Sequence, residues 1–428
     1  MRKPDTDVLA GGVRRYERDI IHWLERLVSI PSENRPPDGD EGPAQDFIED
    51  ACRKLGLEVE SFRPVDVESI EDHPAFLAGR NYPPERRNVT ARWKGRGGGR
   101  SLLLSGHVDV APREPGPWHA CRPFEPVLKN GRLYGRGTAD MKGGIAACFW
   151  AMKIVKELGF EPSGDVLFET VVDEEFAGGN GTLASRLRGF NADLAVLCEP
   201  TRMEVCAGSE GAFLGDIVVR GKTGGVPYTG SRSPNPVDAI ARIVEHFTEW
   251  ERWWRAQESH PLFTDPGKEL NLLLWNLFSG DEEEVQLGVP LEAAVSWIVW
   301  CYPGMAEERF YDAFTSFWEG RFSREDLKPF DIEIIKTHHF VRPWETDSDS
   351  PGVRGVLDAY EQVTGRRVRP IGAPFSCDLA LYGDEGGMDA VILGPGGENL
   401  HAPDEYVVVE DVLGLTSILA ALITGWCG

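Results

Sequence analysis

Basic residues are scarce for a chain of this size. Against 69 Asp and Glu stand 45 Lys and Arg, giving a net charge of −24 over 428 residues. A nucleic-acid face needs a Lys/Arg excess, and an anionic membrane surface attracts the same residues, so neither is expected as a partner. Paired cysteines are missing as well: Cys52, Cys121, Cys148, Cys198, Cys206, Cys301, Cys377 and Cys427 lie scattered, with no CxxC spacing. Free buried thiols in a reducing compartment are expected, not a disulfide framework or a structural Cys zinc site. Long apolar runs are absent too. The longest, near Leu413–Ile423, is broken by Gly and Thr and falls short of a bilayer span. The opening MRKPDTDVLAGG has no apolar signal-peptide stretch, so a cytoplasmic location is expected. No internal repeat or low-complexity segment is visible.

What is present is globular: 41% apolar and 27% charged residues, enough for two or three cores. Helical spacing of Tyr16, Ile20, Ile21, Trp23, Leu24 and Leu27 predicts a helix over about 14–29 that stops at Pro31, with a second over about 42–55. Strands and helices then alternate: strands at 88–93 and 101–107, a helix at 143–158, a strand at 165–172, a helix at 182–187 and a strand at 194–198. That order predicts an α/β unit with a mainly parallel sheet and helices on both faces. The stretch KGRGGGR (Lys94–Arg100) reads as a Gly-rich turn between strands. A phosphate loop is the rival, but no helix with a following Lys-Ser/Thr comes next. From about residue 209 the pattern becomes β-α-β-β-α-β, which predicts an inserted ferredoxin-like α+β unit over 209–337. The α/β unit would comprise 1–208 and 338–428. The run Asp281-Glu282-Glu283-Glu284 reads as a solvated loop.

Polar groups gather where strands run out. LLLSGHVDVAP ends an apolar strand in His107, with Asp109 two residues on. Asp140 lies in GRGTADMKGG before a helix, Glu174 and Glu175 close VLFETVVDEE, Glu199 closes LAVLCEP, and His401 follows AVILGP. Open parallel sheets build their sites beyond the carboxyl ends of the strands. Taken singly, each has an ordinary reading: solvated strand-end charge for Asp173-Glu174-Glu175, a turn for Glu199-Pro200, a loop residue for His401. Together, two histidines and several carboxylates suit zinc, cobalt or manganese. Asp140 could bridge two cations, with His107 and Glu199 completing one site and Glu175 and His401 the other. Asp109 would accept the ring N–H of His107. Glu174 is left beside a ligand, which suits a general base.

The matching stretches LVSIPSEN, LLLSGHVDVAP, WHACRPFEP, GRLYGRGTADMKGG, DEEFAGGNGT, CEPT, CYPGM and GPGGENLHAPDEYV run in order from about residue 26 to 406. They resemble the zinc deacylase and carboxypeptidase family that includes acetylornithine deacetylase, succinyl-diaminopimelate desuccinylase, aminoacylase and carboxypeptidase G. The resemblance implies two divalent cations (zinc, or manganese or cobalt), or one of them alone. It places His107, Asp140 and Glu199 on one, and Asp140, Glu175 and His401 on the other. It further implies Glu174 as base, Asp109 behind His107, a small-molecule substrate bearing a carboxylate, and a homodimer formed through the inserted lid and dimerisation domain.

Two departures stand out. Typical members carry a lid histidine in a Gly-Lys-Ala-Ala-His type stretch, which binds the oxyanion in the partner subunit's site. Here the stretch is GKTGGVPYTGSRSPNPVDAI, with Gly225 or Thr229 at that position according to which end is counted from. Many members have an arginine where Trp300 stands, and that arginine helps bind substrate carboxylates. Tyr228, Thr229 and Arg232 are the replacement candidates for substrate binding. A longer surface turn is the ordinary reading. The lid's tryptophans read mostly as core or interface, with one or two available to line a pocket for a flat substrate. The expected activity is an amidohydrolase or deacylase of an N-acyl amino acid or related small molecule. An aminohydrolase of an electron-poor aromatic amine, as in 5-nitroanthranilate aminohydrolase, is the alternative. A non-catalytic binding protein on the same fold would require lost ligands or a lost base, and all are present.

Overall fold

A computed structural model describes residues 4–114, 116–176, 179–222, 234–280 and 288–428. The acidic run 281–284 and the stretch holding Gly225, Tyr228, Thr229 and Arg232 lie outside the described residues. In chain order the principal elements are α1 (Thr6–Val28), α2 (Gly42–Lys54), β1 (Glu58–Phe62), β2 (Asn88–Trp93), β3 (Leu102–His107), α3 (Gly143–Glu157), β4 (Val166–Val171), α4 (Asn180–Leu187), β5 (Leu194–Leu197) and β6 (Cys206–Ser209). There follow β7 (Gly211–Arg220), α5 (Pro236–Gln257), β8 (Leu272–Ser279), β9 (Glu292–Cys301), α6 (Glu307–Phe322), β10 (Asp331–Lys336), β11 (Trp344–Glu345), α7 (Pro351–Thr364), β12 (Ile371–Ala373), α8 (Leu379–Gly383), β13 (Asp389–Ile392) and α9 (Val409–Trp426). The chain divides into two compact units: Met1–Gly208, Glu345–Ala373 and Cys377–Gly428 form the first, and Ser209–Trp344 with Pro374–Ser376 the second.

The first unit is α/β. Its sheet runs β11-β6-β13-β5-β3-β4-β2-β1, with β12 also on β6. The central strands β13, β5, β3 and β4 are parallel and, apart from Asp389 at the start of β13, buried throughout, as strands covered on both faces must be. Antiparallel strands flank them: β2 against β4, β1 against β2, and β6 against β13. The Gly-rich segment is therefore a crossing and not a tight hairpin turn. It carries the chain from β2 over the start of β4 to β3. Arg96 and Gly97 donate to the Pro162 and Ser163 carbonyls at 2.9 and 2.7 Å. Cβ atoms at Gly95 and Gly99 would lie 2.4 Å from Gly164 backbone atoms, so backbone must meet backbone there.

Helix α1 begins at Thr6, earlier than its apolar spacing predicts, because the Asp5 carboxylate accepts the Val8 N–H at 2.9 Å. Helix α9 is long and apolar enough to cross a membrane, and 72% of it is buried. It packs on α3, α7 and α1, so its apolarity is accounted for by the core. All eight cysteines are free, and only Cys121 has appreciable exposure.

The second unit has the antiparallel sheet order β8-β9-β7-β10, with α5 and α6 as crossovers. In the unit's own strand sequence that is 2-3-1-4, the ferredoxin-like arrangement. Its core is aromatic: Trp250, Trp297, Trp318, Phe310 and Phe314 are fully buried. Trp253 and Trp275 stay 39% and 55% exposed, so not every tryptophan of this unit is used in the core.

Candidate active site

The parallel strands of the first unit deliver the polar residues to one end. His107 is the last residue of β3, Glu174 and Glu175 follow β4, and Glu199 follows β5. Asp140 comes from a distorted turn, Thr138–Lys142, that leads into α3 and is non-helical at Asp140 itself (φ −115°, ψ 94°). That turn sits close to the β5 exit because α3 begins with glycine: a Cβ on Gly144 would lie 2.2 Å from the Cys198 carbonyl oxygen. His401, in a left-handed conformation (φ 56°), reaches in from the loop before β-residues Tyr406–Val408.

These side chains meet. His107 Nε2 lies 3.1 Å from Asp140 Oδ1, 3.6 Å from Glu199 Oε2 and 3.9 Å from Glu174 Oε2. His401 Nε2 lies 2.8 Å from Glu175 Oε2 and 3.3 Å from Asp140 Oδ2. The two oxygens of Asp140 thus face one histidine each. Ligand atoms of His107, Glu174 and Glu199 fall within 4.8 Å of one another, as do those of His107, Asp140 and Glu175.

Asp109 sits differently from the expectation. His107 Nδ1 is 2.9 Å from the Asp109 backbone carbonyl, which is therefore the hydrogen-bond partner that fixes the ring, and 3.7 Å from the carboxylate Oδ1. The other carboxylate oxygen, Oδ2, accepts the backbone N–H groups of Glu174 and Glu175 at 2.9 and 3.0 Å. These two amides turn towards it because Asp173 is left-handed (φ 64°). Asp109 organises the acidic turn more directly than it orients the imidazole.

The electrostatics are those of a site short of positive charge. The Glu175 charge pushes the His401 imidazole up to about 12. Burial opposes protonation of His107, but Glu199, Asp140 and Glu174 outweigh it and hold the ring well above its ordinary value. Burial raises Glu199 to about 7 and lifts Glu174 well above the carboxylate range, with Asp378 and Glu199 adding to the effect on Glu174. Asp140 is also desolvated, yet hydrogen bonds to both histidines hold it below its usual range. Two imidazoles pulled towards protonation among four carboxylates form a donor set that divalent cations fit: they would replace the protons and neutralise the surplus charge.

Three neighbours were not foreseen. Glu405, four residues after His401, is buried and accepts from the Gly137, Ala139 and Asp140 amides at 2.9, 3.0 and 3.3 Å and from Arg136 Nη1 at 2.8 Å. Its place inside HAPDEYV was the one available signal. Asp378, at the start of α8, accepts from Thr182 Oγ1 at 2.5 Å and is raised to about 7 by burial. Lys142 is fully buried and donates to the Leu27 and Ile30 carbonyls at 3.1 and 2.8 Å, tying the Asp140 turn to the end of α1. In the second unit, Trp300 is partly buried on β9, where its carbonyl accepts from Trp254 Nε1 at 3.1 Å.

Comparison with known proteins agrees with this geometry. Residues 103–425 match the model of peptidase family M20/M25/M40. The N-formyl-4-amino-5-aminomethyl-2-methylpyrimidine deformylase of Halalkalibacterium halodurans is 27% identical, over 98% of this chain and 97% of its own. A succinyl-diaminopimelate desuccinylase of Methylorubrum extorquens is 28% identical, over 90% of this chain and 94% of its own. Human carnosine dipeptidase 1 superposes with a TM-score of 0.75 over 99% of both chains, at 15% identity, a likeness of fold. The chain belongs to peptidase family M20/M25/M40 and is a metal-dependent hydrolase of C–N bonds.

Proposed function

We propose that this hydrolase is a deacylase of small N-acyl compounds, with Glu174 as its general base and then its general acid. The observation that carries the reading is the placement of the Glu174 carboxyl among the donors, 3.9 Å from His107 Nε2, on a turn pinned by Asp109. His107, Asp140 and Glu199 would hold one divalent cation, and Asp140, Glu175 and His401 a second, with Asp140 shared. Cations held there would lower the pKa of a coordinated water towards ~7 and polarise the acyl oxygen. Glu174 takes the proton of the attacking water and returns it to the departing nitrogen. Burial raises its proton affinity, which suits a carboxyl that must both take a proton and return it.

The substrate class rests on relatives whose names specify an N-formyl group and a succinyl group. The deformylase spans nearly the whole chain, which favours an N-acyl amine carried by a flat ring as much as an N-acyl amino acid. Trp300, in the place of a carboxylate-binding arginine, points the same way. Tyr228, Thr229 and Arg232 remain the proposed contacts in the long 221–240 stretch. The second unit would carry the self-association surface. Its edge strand β8 exposes Leu273, Trp275 and Leu277, apolar side chains that a register shift at Trp275 spreads over both faces of an edge left unpaired among the described residues.

The test is a panel run on cation-loaded protein: N-formyl aminomethylpyrimidine, N-acetyl and N-succinyl amino acids, and nitro-substituted aromatic amines. Release of a primary amine together with formate, acetate or succinate is expected. Ammonia release from the aromatic amines alone would replace the deacylase reading with the aminohydrolase one.

A further inference from the structure

A buried polar network lies behind the Glu174 turn, and nothing in the proposed chemistry uses it. Its centre is Asn34, at the end of LVSIPSEN and wholly buried. The Asn34 side-chain amide donates to Asp109 Oδ2 at 2.9 Å and to Asp173 Oδ1 at 3.2 Å. Asp109 Oδ2 is the same oxygen that accepts the Glu174 and Glu175 amides. Three donors therefore converge on one oxygen, and only one of them is a side chain that mutation can remove.

Arg86 sets the orientation of Asn34. Its guanidinium is fully buried, and Nη2 donates to Asn34 Oδ1 at 3.1 Å and to Asp173 Oδ1 at 3.0 Å. Nε donates to both oxygens of Glu41 at 2.9 and 3.1 Å, and Nη1 to the Pro37 and Asn81 carbonyls at 3.2 and 3.1 Å. With every donor engaged, the guanidinium can accept nothing, so it fixes which end of the Asn34 amide is oxygen. The NH2 end is thereby turned onto Asp109. Asp173 is held in turn by the Tyr82 hydroxyl at 2.5 Å, which secures the left-handed residue just before Glu174.

We infer that Asn34, oriented by Arg86, is a positioning residue for Glu174 that acts through Asp109. Its side chain hydrogen-bonds to Asp109, Asp173 and Arg86 and to none of the proposed cation donors. Its amide keeps Asp109 Oδ2 where both backbone N–H groups of the acidic turn can reach it, and so sets the reach of the Glu174 carboxyl. The Asp109 Oδ1 atom makes no hydrogen bond, which leaves Oδ2 to bear the whole positioning load. The inference rests on Glu174 being the base.

The test compares Asn34→Ala with the parent as metal-loaded full chain, on a substrate found active in the panel. A fall in kcat of ~10–100-fold is expected, as for supporting residues behind metal sites, with KM within about two-fold and bound metal unchanged. A purely structural role would instead lower stability or metal content. The decisive readout is a double-mutant cycle with Asp109→Ala, which removes the oxygen that Asn34 and the two amides share. If Asn34 acts through Asp109, the Asn34→Ala effect shrinks to less than ~2-fold in that background. Full additivity, or parental kcat in Asn34→Ala, overturns the inference. Should Asn34→Ala fail to fold, Asn34→Ser enters the same cycle, with the same two outcomes. Glu174→Gln run alongside separates the two claims. An active Glu174→Gln removes the base reading itself, whereas an inactive Glu174→Gln beside a fully active Asn34 variant removes only the inference.

Discussion

Replacing Glu405 with glutamine probes how the Asp140 turn is held. Glu405 Oε2 accepts from Arg136 Nη1 and Gly137 N–H, and Oε1 from the Ala139 and Asp140 amides. Burial lifts this carboxyl to about 7, yet four donors occupy its two oxygens, so the anion is the form that fits. In Glu405→Gln one oxygen becomes an NH2 group facing two N–H donors. Whichever way the amide lies, two hydrogen bonds are lost and Arg136 faces a weaker partner. Breaking a buried pair by removing one partner costs about 3–5 kcal/mol. Arg136 also donates to Glu114, which compensates in part, so the lower end, about 3 kcal/mol, is expected. Keeping the amide oxygen on the Arg136 guanidinium turns the NH2 group onto the Ala139 and Asp140 amides, so the Asp140 bond is among those lost and metal affinity should fall ~10–100-fold as well. Denaturant unfolding with and without metal, and competition of the metal with a chelating dye, measure the two effects. A variant within about 1 kcal/mol of the parent that binds metal equally well would refute the reasoning.

Two further outcomes follow from single groups. Burial lowers the Lys142 ammonium to about 7. The unfolded chain therefore keeps this proton up to about 10.5 while the folded chain has released it, and the Lys142 contribution to stability rises with pH between those values. Unfolding midpoints measured from pH 7 to 10 should climb less in Lys142→Met than in the parent; parallel curves would show that this residue is not desolvated. If the chain self-associates through β8 as proposed, the parent sediments as a dimer and Trp275→Glu, at an exposed position on that strand, as a monomer with its helix content kept. An unchanged sedimentation coefficient would move the self-association surface elsewhere.

The helices and strands were legible because their apolar periodicity is strong and their ends are marked. Pro236 after Asn235 starts α5, and Ser350-Pro351 starts α7, which ends at Gly365. The direction of β2 was not legible. A strand–turn–strand segment reads as neighbouring strands, and only the later β4 reveals that it slips between β2 and β3. In the site, His107, Glu174, Glu175 and Glu199 were readable as strand exits, so their convergence follows from the parallel order, while Asp140 and His401 join them from loops. The groups behind them were not, because buried hydrogen bonds join residues far apart in the chain. Asn34 meets Asp109 across 75 positions, and Arg136 meets Glu405 across 269. Local spacing also cannot say which atom of a residue is used: Asp109 stands two places from His107, but its carbonyl faces the ring and its carboxylate faces the acidic turn.

The central claim is that Glu174 moves the proton while its neighbours hold the metal. Glu174→Gln keeps the size of the side chain and removes its capacity to take a proton. Bound metal and single-turnover amine release should be measured on the same metal-loaded sample, with the N-acyl substrate cleaved fastest in the panel. The account predicts parental metal content and a loss of turnover of at least ~100-fold. Turnover close to the parent's, with metal retained, would contradict it.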